Sequence, residues 1–216
     1  RDQVILQSRL GRALTRAPRR PSWRALGALI VRRDVLLPTL LAVLAQYVTW
    51  ATAFGFIAII ADRMGATAVQ QSLLLTANLT ALTVGNLTAT AATRRFGAKP
   101  LVSVSFVLLA LGTAVVAAAP ALSWLFVAHI LIGLSQGISY PVLMGLSIRY
   151  VADAERTTAM GLHQAVYAIG MFAGPAVSGV LAEAMGISAT FVLTAAVCLG
   201  LGILGARMLR SNGSDA

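Results

Sequence analysis

Residues 100–119 read PLVSVSFVLLALGTAVVAAA, a run of twenty residues without a charged side chain. A helix of about 20 apolar residues is long enough to cross the roughly 30 Å hydrocarbon core of a bilayer. Charged residues precede the run in TRRFGAK at residues 93–99, and Pro120 follows it. Charge and proline both favour a helix end at these places. The stretch therefore predicts a transmembrane helix.

Five further segments of the same kind lie on both sides of this run, at residues 35–61, 69–92, 122–149, 158–182 and 187–208. The 216 residues are 58% hydrophobic and 11% charged, with a mean hydropathy of +0.82. Soluble domains are about 45–50% apolar and about 25% charged. This composition excludes a soluble enzyme and a disordered chain, and a single cysteine excludes a disulfide scaffold. We predict an all-α, polytopic membrane bundle of six transmembrane helices.

The basic residues predict the orientation of this bundle. Nine of the sixteen arginines lie in residues 1–33, and sixteen of the seventeen basic residues fall on one side of the six predicted helices, with only Arg63 on the other. Cytoplasmic loops of membrane proteins are rich in Lys and Arg. Both termini are therefore expected in the cytoplasm, with the bundle in the plasma (cytoplasmic) membrane.

The net charge of +10 then reflects topology, and we expect no nucleic-acid partner because the basic segment has one aromatic residue, Trp23, and no known reader motif. The excess of Arg over Lys, with abundant Ala and Gly, suggests a bacterial, GC-rich genome.

Three regions follow from these patterns. Residues 1–33 form a basic cytoplasmic connector, residues 34–210 the six-helix bundle, and residues 211–216 a cytoplasmic tail. The connector is either an ordinary link between membrane halves or a surface anchor, since a short amphipathic helix there would carry its apolar face on Val4, Ile5, Leu6, Leu10 and Leu14. The chain starts at Arg1 rather than Met, and we expect it to be part of a longer chain.

Three stretches resemble motifs of the major facilitator superfamily. Residues 161–179, GLHQAVYAIGMFAGPAVSG, resemble motif C, with Ser178 in place of one family glycine. Residues 94–99, RRFGAK, are similar to the second-half copy of motif A, although Arg94 replaces the family Asp. Residues 133–137, GLSQG, resemble motif B, with Gly133 in place of its Arg. The positions to which the resemblance gives a conformational or packing role are Gly161, Gly170, Gly174, Pro175, Gly179, Arg95, Gly97 and Lys99.

The resemblance implies the C-terminal half of a secondary active transporter, helices seven to twelve, with an N-terminal six-helix half as its partner. It implies alternating access about a site near the midplane. Motif C is typical of antiporters, which favours an efflux permease. The partners expected are therefore a small-molecule substrate, the lipid bilayer and the other half.

Polar residues inside the predicted spans indicate where that site lies, because intramembrane polar groups are costly. They form stripes on the first, second, fourth and fifth spans, while the third and sixth are almost purely apolar and are expected at the lipid-facing periphery. We predict that the substrate-binding residues are Gln46, Tyr47, Trp50, Asn78, Gln136, Tyr140 and Tyr167. Hydrogen bonding between helices is the alternative for the amides, and packing for the aromatics. The threonine face of the second span is predicted to bond its own backbone carbonyls.

Two histidines, His129 and His163, are candidates for proton coupling, and the alternative for each is a neutral, satisfied side chain. No carboxylate lies near the middle of a predicted span. A neutral, aromatic site suits a neutral or cationic amphipathic molecule.

Two other functions compete with transport. One is a self-standing six-span protein that acts as a dimer or as an interaction partner. The other, minor one is an intramembrane serine protease, because residues 133–137 also match G-x-S-x-G. That motif needs a strand-to-helix turn, whereas Ser135 lies inside an apolar span. With no CxxC, HExxH or P-loop in the sequence, we expect no metal, no cofactor and no enzyme.

Overall fold

The computed structural model of the chain describes Gly27 and residues 29–209. The rest of the predicted connector, with its amphipathic pattern, and the predicted tail lie outside the described residues.

All regular structure in residues 29–209 is helical, and six long helices lie close to the predicted spans. Their bounds are α1 (Arg33–Arg63), α2 (Ala68–Phe96), α3 (Ala98–Ala118), α4 (Leu122–Ile148), α5 (Arg156–Met185) and α6 (Ile187–Met208). A 3₁₀ turn, Asp153–Glu155, precedes α5. The helix α1 is α-helical over Arg33–Thr49, π-helical over Trp50–Phe56 and α-helical again over Ile57–Arg63. The six predicted segments are thus confirmed as helices, with ends within four residues of those expected.

Glycines make the sharpest turns between these helices. Gly97 separates α2 from α3 and Gly186 separates α5 from α6, each as a single residue with φ near +85° (85° and 86°). Only glycine adopts this backbone region without a steric penalty from Cβ. At the start of α2, a capping box between Thr67 and Gln70 satisfies two backbone donors. These signals explain why the sequence located the helix ends well.

Five of the six helices are long and apolar enough to cross a membrane, and α2 is the exception. It has 29 residues, about 43 Å of helix, so its length suffices. Its composition falls short because threonines, glutamines and asparagines recur along it. All six predicted helices are therefore present, but only five of them are apolar enough to be identified as membrane-spanning helices.

The helices pack as two parallel pairs joined by a third contact. In one pair α1 lies along α5, and in the other α2 lies along α4; α1 also contacts α4 and so links the pairs. We call the end where α1 begins and α6 ends the basic end, since it carries Arg32, Arg33, Arg94, Arg95, Lys99, Arg149, Arg156 and Arg207.

The two apolar helices occupy different places. The helix α3 packs between α4 and α6, and buries Phe106 and Leu109 in the main core. Half of its most apolar window is buried, against 17% for α5. The side chains of Val104 and Leu111 on α3 stay about half exposed, so the helix also keeps an apolar outer face. Its neighbour α6 contacts mainly α3 and lies further out.

Candidate functional site

Glycines bring the backbones of both helix pairs into contact. On α4, a Cβ added at Gly133 would overlap the carbonyl oxygen of Asn78, and one at Gly137 would overlap that of Leu82. On α5, a Cβ at Gly170 would overlap the carbonyl oxygen of Val43 on α1. Small residues four apart allow this close approach of membrane helices. The stretch at residues 133–137 is therefore a helix-packing pair, a role that its G-x-x-x-G spacing could have revealed.

The motif C positions divide into two groups. Gly170 and Gly174 lie against α1, and a Cβ at Gly174 would overlap the carbonyl oxygen of Tyr47. A Cβ added at Gly55 of α1 would lie 3.8 Å from Cβ of Pro175, which places this proline beside the π-helical segment. Gly161 and Gly179 have no atom within 4 Å of an added Cβ among the described residues. Close packing thus involves the centre of the motif and not its ends.

The motif A positions lie at the basic end. The guanidinium of Arg95 lies 5.3 Å from the ring centroid of Phe96, and Nζ of Lys99 donates to the carbonyl oxygen of Arg207 at 3.4 Å. Gly97 is the single residue between α2 and α3. These residues order the end of the bundle and lie away from the polar residues of its interior.

Side chains also join α1 to α5. The Tyr47 hydroxyl lies 3.1 Å from Oγ of Ser178, and Nδ1 of His163 lies 2.9 Å from Oγ1 of Thr39. His163, Ser178 and Thr39 are all buried. Thr39 carries no signal of a site in the sequence, because its role depends on a partner 124 residues away.

Aromatic rings extend this contact from α5 to α4. The rings of His163 and Tyr167 lie 5.7 Å apart, and those of Tyr167 and Tyr140 lie 5.9 Å apart, both edge to face. Of the residues predicted to bind substrate, Tyr140 and Tyr167 are thus brought together, next to a candidate proton-coupling residue. Trp50 lies elsewhere on α1, with its ring 4.9 Å from that of Phe54.

The α2–α4 pair has one polar link of a different kind. Nδ2 of Asn78 donates to the backbone carbonyl of His129 at 2.9 Å, and Asn78 is fully buried. The His129 side chain lines an open groove of about 640 Å³ near the end opposite the basic end, together with Phe54, Asp62 and Gln71. The two histidines therefore lie in different surroundings, since His163 is enclosed between α1 and α5.

Five buried side-chain atoms have no hydrogen-bond partner among the described residues, and all belong to residues singled out from the sequence. They are Oε1 of Gln46, Oδ1 of Asn78, Nδ1 of His129, Oε1 of Gln136 and Nε2 of His163. An unsatisfied buried polar atom costs about 1–3 kcal/mol, so such atoms need an explanation. Helix packing alone does not account for them.

Four grooves of about 300 to 640 Å³ lie at the ends of the bundle, and other residues of the described part of the chain line them. The seven residues predicted to bind substrate lie on α1, α2, α4 and α5.

The π-helical segment Trp50–Phe56 is the feature that sequence reasoning missed most clearly. Its i→i+5 bonding adds residues to each turn, so positions beyond Thr49 leave the face expected from α-helical spacing. Such segments often occur at functional sites in helices. This one begins at Trp50, three residues after Tyr47.

The serine of the G-x-S-x-G stretch has a structural partner. Oγ of Ser135 donates to the backbone carbonyl of Ser105 on α3 at 2.7 Å, and Ser135 is buried. His163 bonds to Thr39 and not to this serine. The arrangement lacks the serine–histidine contact that a serine nucleophile needs.

Comparison with known proteins agrees with this architecture. The family model of the Major Facilitator Superfamily matches residues 39–215. The chain belongs to this superfamily. It is therefore a multi-pass membrane protein from a family of transporters, and not an enzyme.

Two curated relatives are similar over most of this chain. Monocarboxylate transporter 9 of Rattus norvegicus and that of Mus musculus are each 30% identical over 176 residues, which is 81% of this chain. The chain spans 32% of the length of each relative.

Proposed function

We propose that the chain forms the C-terminal half of a secondary active transporter, which moves a neutral or cationic amphipathic small molecule by alternating access and works as an efflux permease. The observation that carries the proposal is the pair of buried, unpartnered amide oxygens on Gln46 of α1 and Gln136 of α4. They lie on two helices that touch, Gln46 one helical turn before the π-helical segment of α1 and Gln136 one turn before Tyr140 on α4. A substrate with hydrogen-bond donors and an aromatic or apolar body would satisfy both kinds of surface.

The charge of this half supports a neutral or cationic substrate. In residues 29–209 every Lys, Arg, Asp and Glu lies at a helix end or in a turn, so no basic group at mid-helix depth would pair with a carboxylate. The name of the two relatives suggests a monocarboxylate as a second candidate. In that case the counter-charge comes from the other half or from a protonated histidine.

Exposed apolar side chains on α2 and α5 support an N-terminal half as the partner. Phe172 on α5 is 83% exposed and Leu87 on α2 is 77% exposed. An N-terminal six-helix half that covers these faces would supply the other half of the proposed site. The length of the relatives leaves room for such a half.

We further propose that α2 crosses the membrane and that both termini are cytoplasmic, in the plasma membrane. Thr76, Thr83 and Thr88 donate to the carbonyl oxygens four residues earlier, at 2.8 to 2.9 Å, which lowers the cost of placing their hydroxyls in lipid. Reporter fusions after Met64, after Phe96 and after Met208 test this topology. The first is expected to report the outside of the cell and the other two the cytoplasm, and the same side for the fusions after Met64 and Phe96 would contradict a crossing by α2.

Transport by the protein expressed from its complete reading frame tests the function. Proteoliposomes would be loaded separately with ethidium, a cationic amphipathic dye, and with labelled L-lactate. We expect ethidium to move, and Trp50→Ala and Gln136→Ala to change its rate while both variants still reach the membrane. Gly200→Ala on α6, where an added Cβ meets nothing within 4 Å, is the control.

Three results would contradict parts of the proposal. Movement of lactate alone would replace the proposed substrate class by the relatives' class. Normal transport by both variants would show that the site is elsewhere. Crosslinking of this chain in membranes to a second copy, with no six-helix half attached, would favour the self-standing dimer.

A further inference from the structure

His163 combines a fixed nitrogen with an unpartnered one. The side chain is fully buried, Nδ1 lies 2.9 Å from Oγ1 of Thr39, and Nε2 has no hydrogen-bond partner in the part of the chain that the structure describes. The neutral ring carries one proton, on either Nδ1 or Nε2. The acceptor to which the Thr39 hydroxyl donates decides which of the two it is.

Thr39 has one hydroxyl proton, and the geometry uses it within α1. Oγ1 of Thr39 lies 2.7 Å from the backbone carbonyl of Val35, which only accepts hydrogen bonds. The hydroxyl therefore donates to Val35 and accepts from His163. The imidazole must then carry its proton on Nδ1, which leaves a lone pair on Nε2.

We propose that His163 is a proton-binding residue of the transporter, with Nδ1–H held on Thr39 and Nε2 as the atom that gains and loses the proton. Protonation adds one proton to the Nε2 lone pair and gives an imidazolium with N–H on both nitrogens; release returns that proton to water. The bond to Thr39 is kept in both states, so the α1–α5 contact survives each cycle. The proposal rests on the proposed transport function and assigns a role to one side chain within it.

The groups around the ring leave Nε2 as the atom that titrates. Thr39 of α1 does not ionise, Tyr167 of α5 lies edge-on at 5.7 Å, and Tyr140 of α4 is reached only through Tyr167. From α6, no hydrogen bond or ion pair to His163 is present among the described residues. The charged groups at the start of α1 are Arg33 and Asp34, and Asp34 pairs with Arg32 at 2.6 Å. Arg156, at the start of α5, pairs with Asp153 at 2.9 Å.

His129 lacks this arrangement. Its Nδ1 has no described partner, and its backbone carbonyl, not its ring, accepts the bond from Asn78. In the described part of the chain no hydrogen bond to its ring is present that would fix a tautomer, and its groove opens at the other end of the bundle. The structure thus separates two residues that the sequence offered as equal candidates.

Nitrogen-15 NMR of the complete protein tests the tautomer without any substrate. The chain has two histidines, so the signals lost in His163→Asn belong to His163. Between about pH 9 and about pH 3, a range that extends well below that of an ordinary histidine because this ring is fully buried, we expect a neutral ring with N–H on Nδ1 that gains a proton on Nε2. Thr39→Val is expected to remove the preference for Nδ1–H. A neutral ring with N–H on Nε2, or a ring that never gains a proton in this range, would overturn the proposal.

A second experiment measures proton movement across the membrane. With pyranine trapped in the proteoliposomes, ethidium movement is expected to drive a pH change in the unaltered protein. In His163→Asn, whose amide still donates toward Thr39 but does not titrate, that pH change should fall to the level of protein-free liposomes while the variant remains folded. Persisting proton movement in His163→Asn would refute the assignment. If neither probe moves in the unaltered protein, the transport proposal fails, and the NMR result still decides the tautomer.

Discussion

The two parallel helix pairs are built on the same glycine spacing but are held together differently. In the α2–α4 pair, glycines face each other, and a Cβ at Gly85 would lie 3.0 Å from Cα of Gly137. In the α1–α5 pair, the glycines whose added Cβ would overlap the other helix are Gly170 and Gly174 of α5, and side-chain hydrogen bonds at both ends of the contact join the helices. In the α2–α4 contact, backbone packs directly against backbone. The α1–α5 contact also contains side-chain hydrogen bonds, which are able to break and re-form.

The π-helical segment adds to this difference. It lies in α1, opposite Pro175 of α5, so this contact contains a π-helical segment. The helices α2, α4 and α5 are continuous α-helices of 29, 27 and 30 residues, with Pro141 inside α4 and Pro175 inside α5. We infer that the α2–α4 pair moves as a unit and that α1 takes up bending in the proposed alternating access.

The largest effect is expected at the centre of the α2–α4 contact. In Gly137→Ala the new methyl group would overlap the carbonyl oxygen of Leu82 and lie 2.9 Å from N of Asn86 and from Cα of Gly85. All three are backbone atoms that cannot rotate away, so we expect a loss of about 3 kcal/mol, at the upper end for overpacking. Thermal stability of the detergent-purified protein, followed by size exclusion, measures it.

Gly145→Ala is the matched control, because it is on the same helix and an added Cβ there meets nothing within 4 Å. It should leave stability unchanged or raise it by about 0.5–1 kcal/mol, since alanine favours a helix. Equal stability of the two variants would show that α2 and α4 are not in backbone contact.

A smaller loss is expected from the same change in the α1–α5 pair. In Gly174→Ala the methyl group would overlap the carbonyl oxygen of Tyr47 and lie 3.1 Å from N of Ala51. Because these atoms flank or lie in the π-helical segment, α1 is able to shift, and we expect about 1–2 kcal/mol. Gly179→Ala, with open space around it, is the control. A loss as large as that of Gly137→Ala would contradict the idea that α1 yields more easily than α2.

The sequence predicted the helices well and the contacts between them only in part. Hydropathy, charge and the glycine turns mark the ends of each helix locally, which is why these were found. The partner of His163 and the one of Ser135 depend on the register between distant helices, and a single sequence does not encode that register in a readable pattern. The π-helical segment escaped for a related reason, because WATAFGF at residues 50–56 is also compatible with an α-helix.

Substitution of Asn78 tests how much its side chain, compared with the glycine contact, stabilises the α2–α4 pair. Asn78→Leu removes the 2.9 Å bond to the His129 carbonyl and also removes an unpartnered buried oxygen. These changes oppose each other, so we expect a loss of no more than about 0.6 kcal/mol, the average for hydrogen bonds between membrane helices. The same stability assay measures it. A loss several times larger would mean that Asn78, and not the glycine contact, holds the pair together.

The smallest effect on stability is expected on the α1–α5 side, at Tyr47. Tyr47→Phe removes a hydroxyl that lies 3.1 Å from Oγ of Ser178, and Tyr47 is only half-buried. The 3.1 Å separation is long for a bond between hydroxyls, so the loss should stay below about 0.6 kcal/mol. Its effect on transport is expected to exceed its effect on stability, because Tyr47 lies beside Gln46 in the proposed site. Ser178→Ala removes the same bond and keeps the Tyr47 hydroxyl, so unequal ethidium transport by the two variants would assign the hydroxyl to substrate, and equal transport would assign it to the helix contact alone.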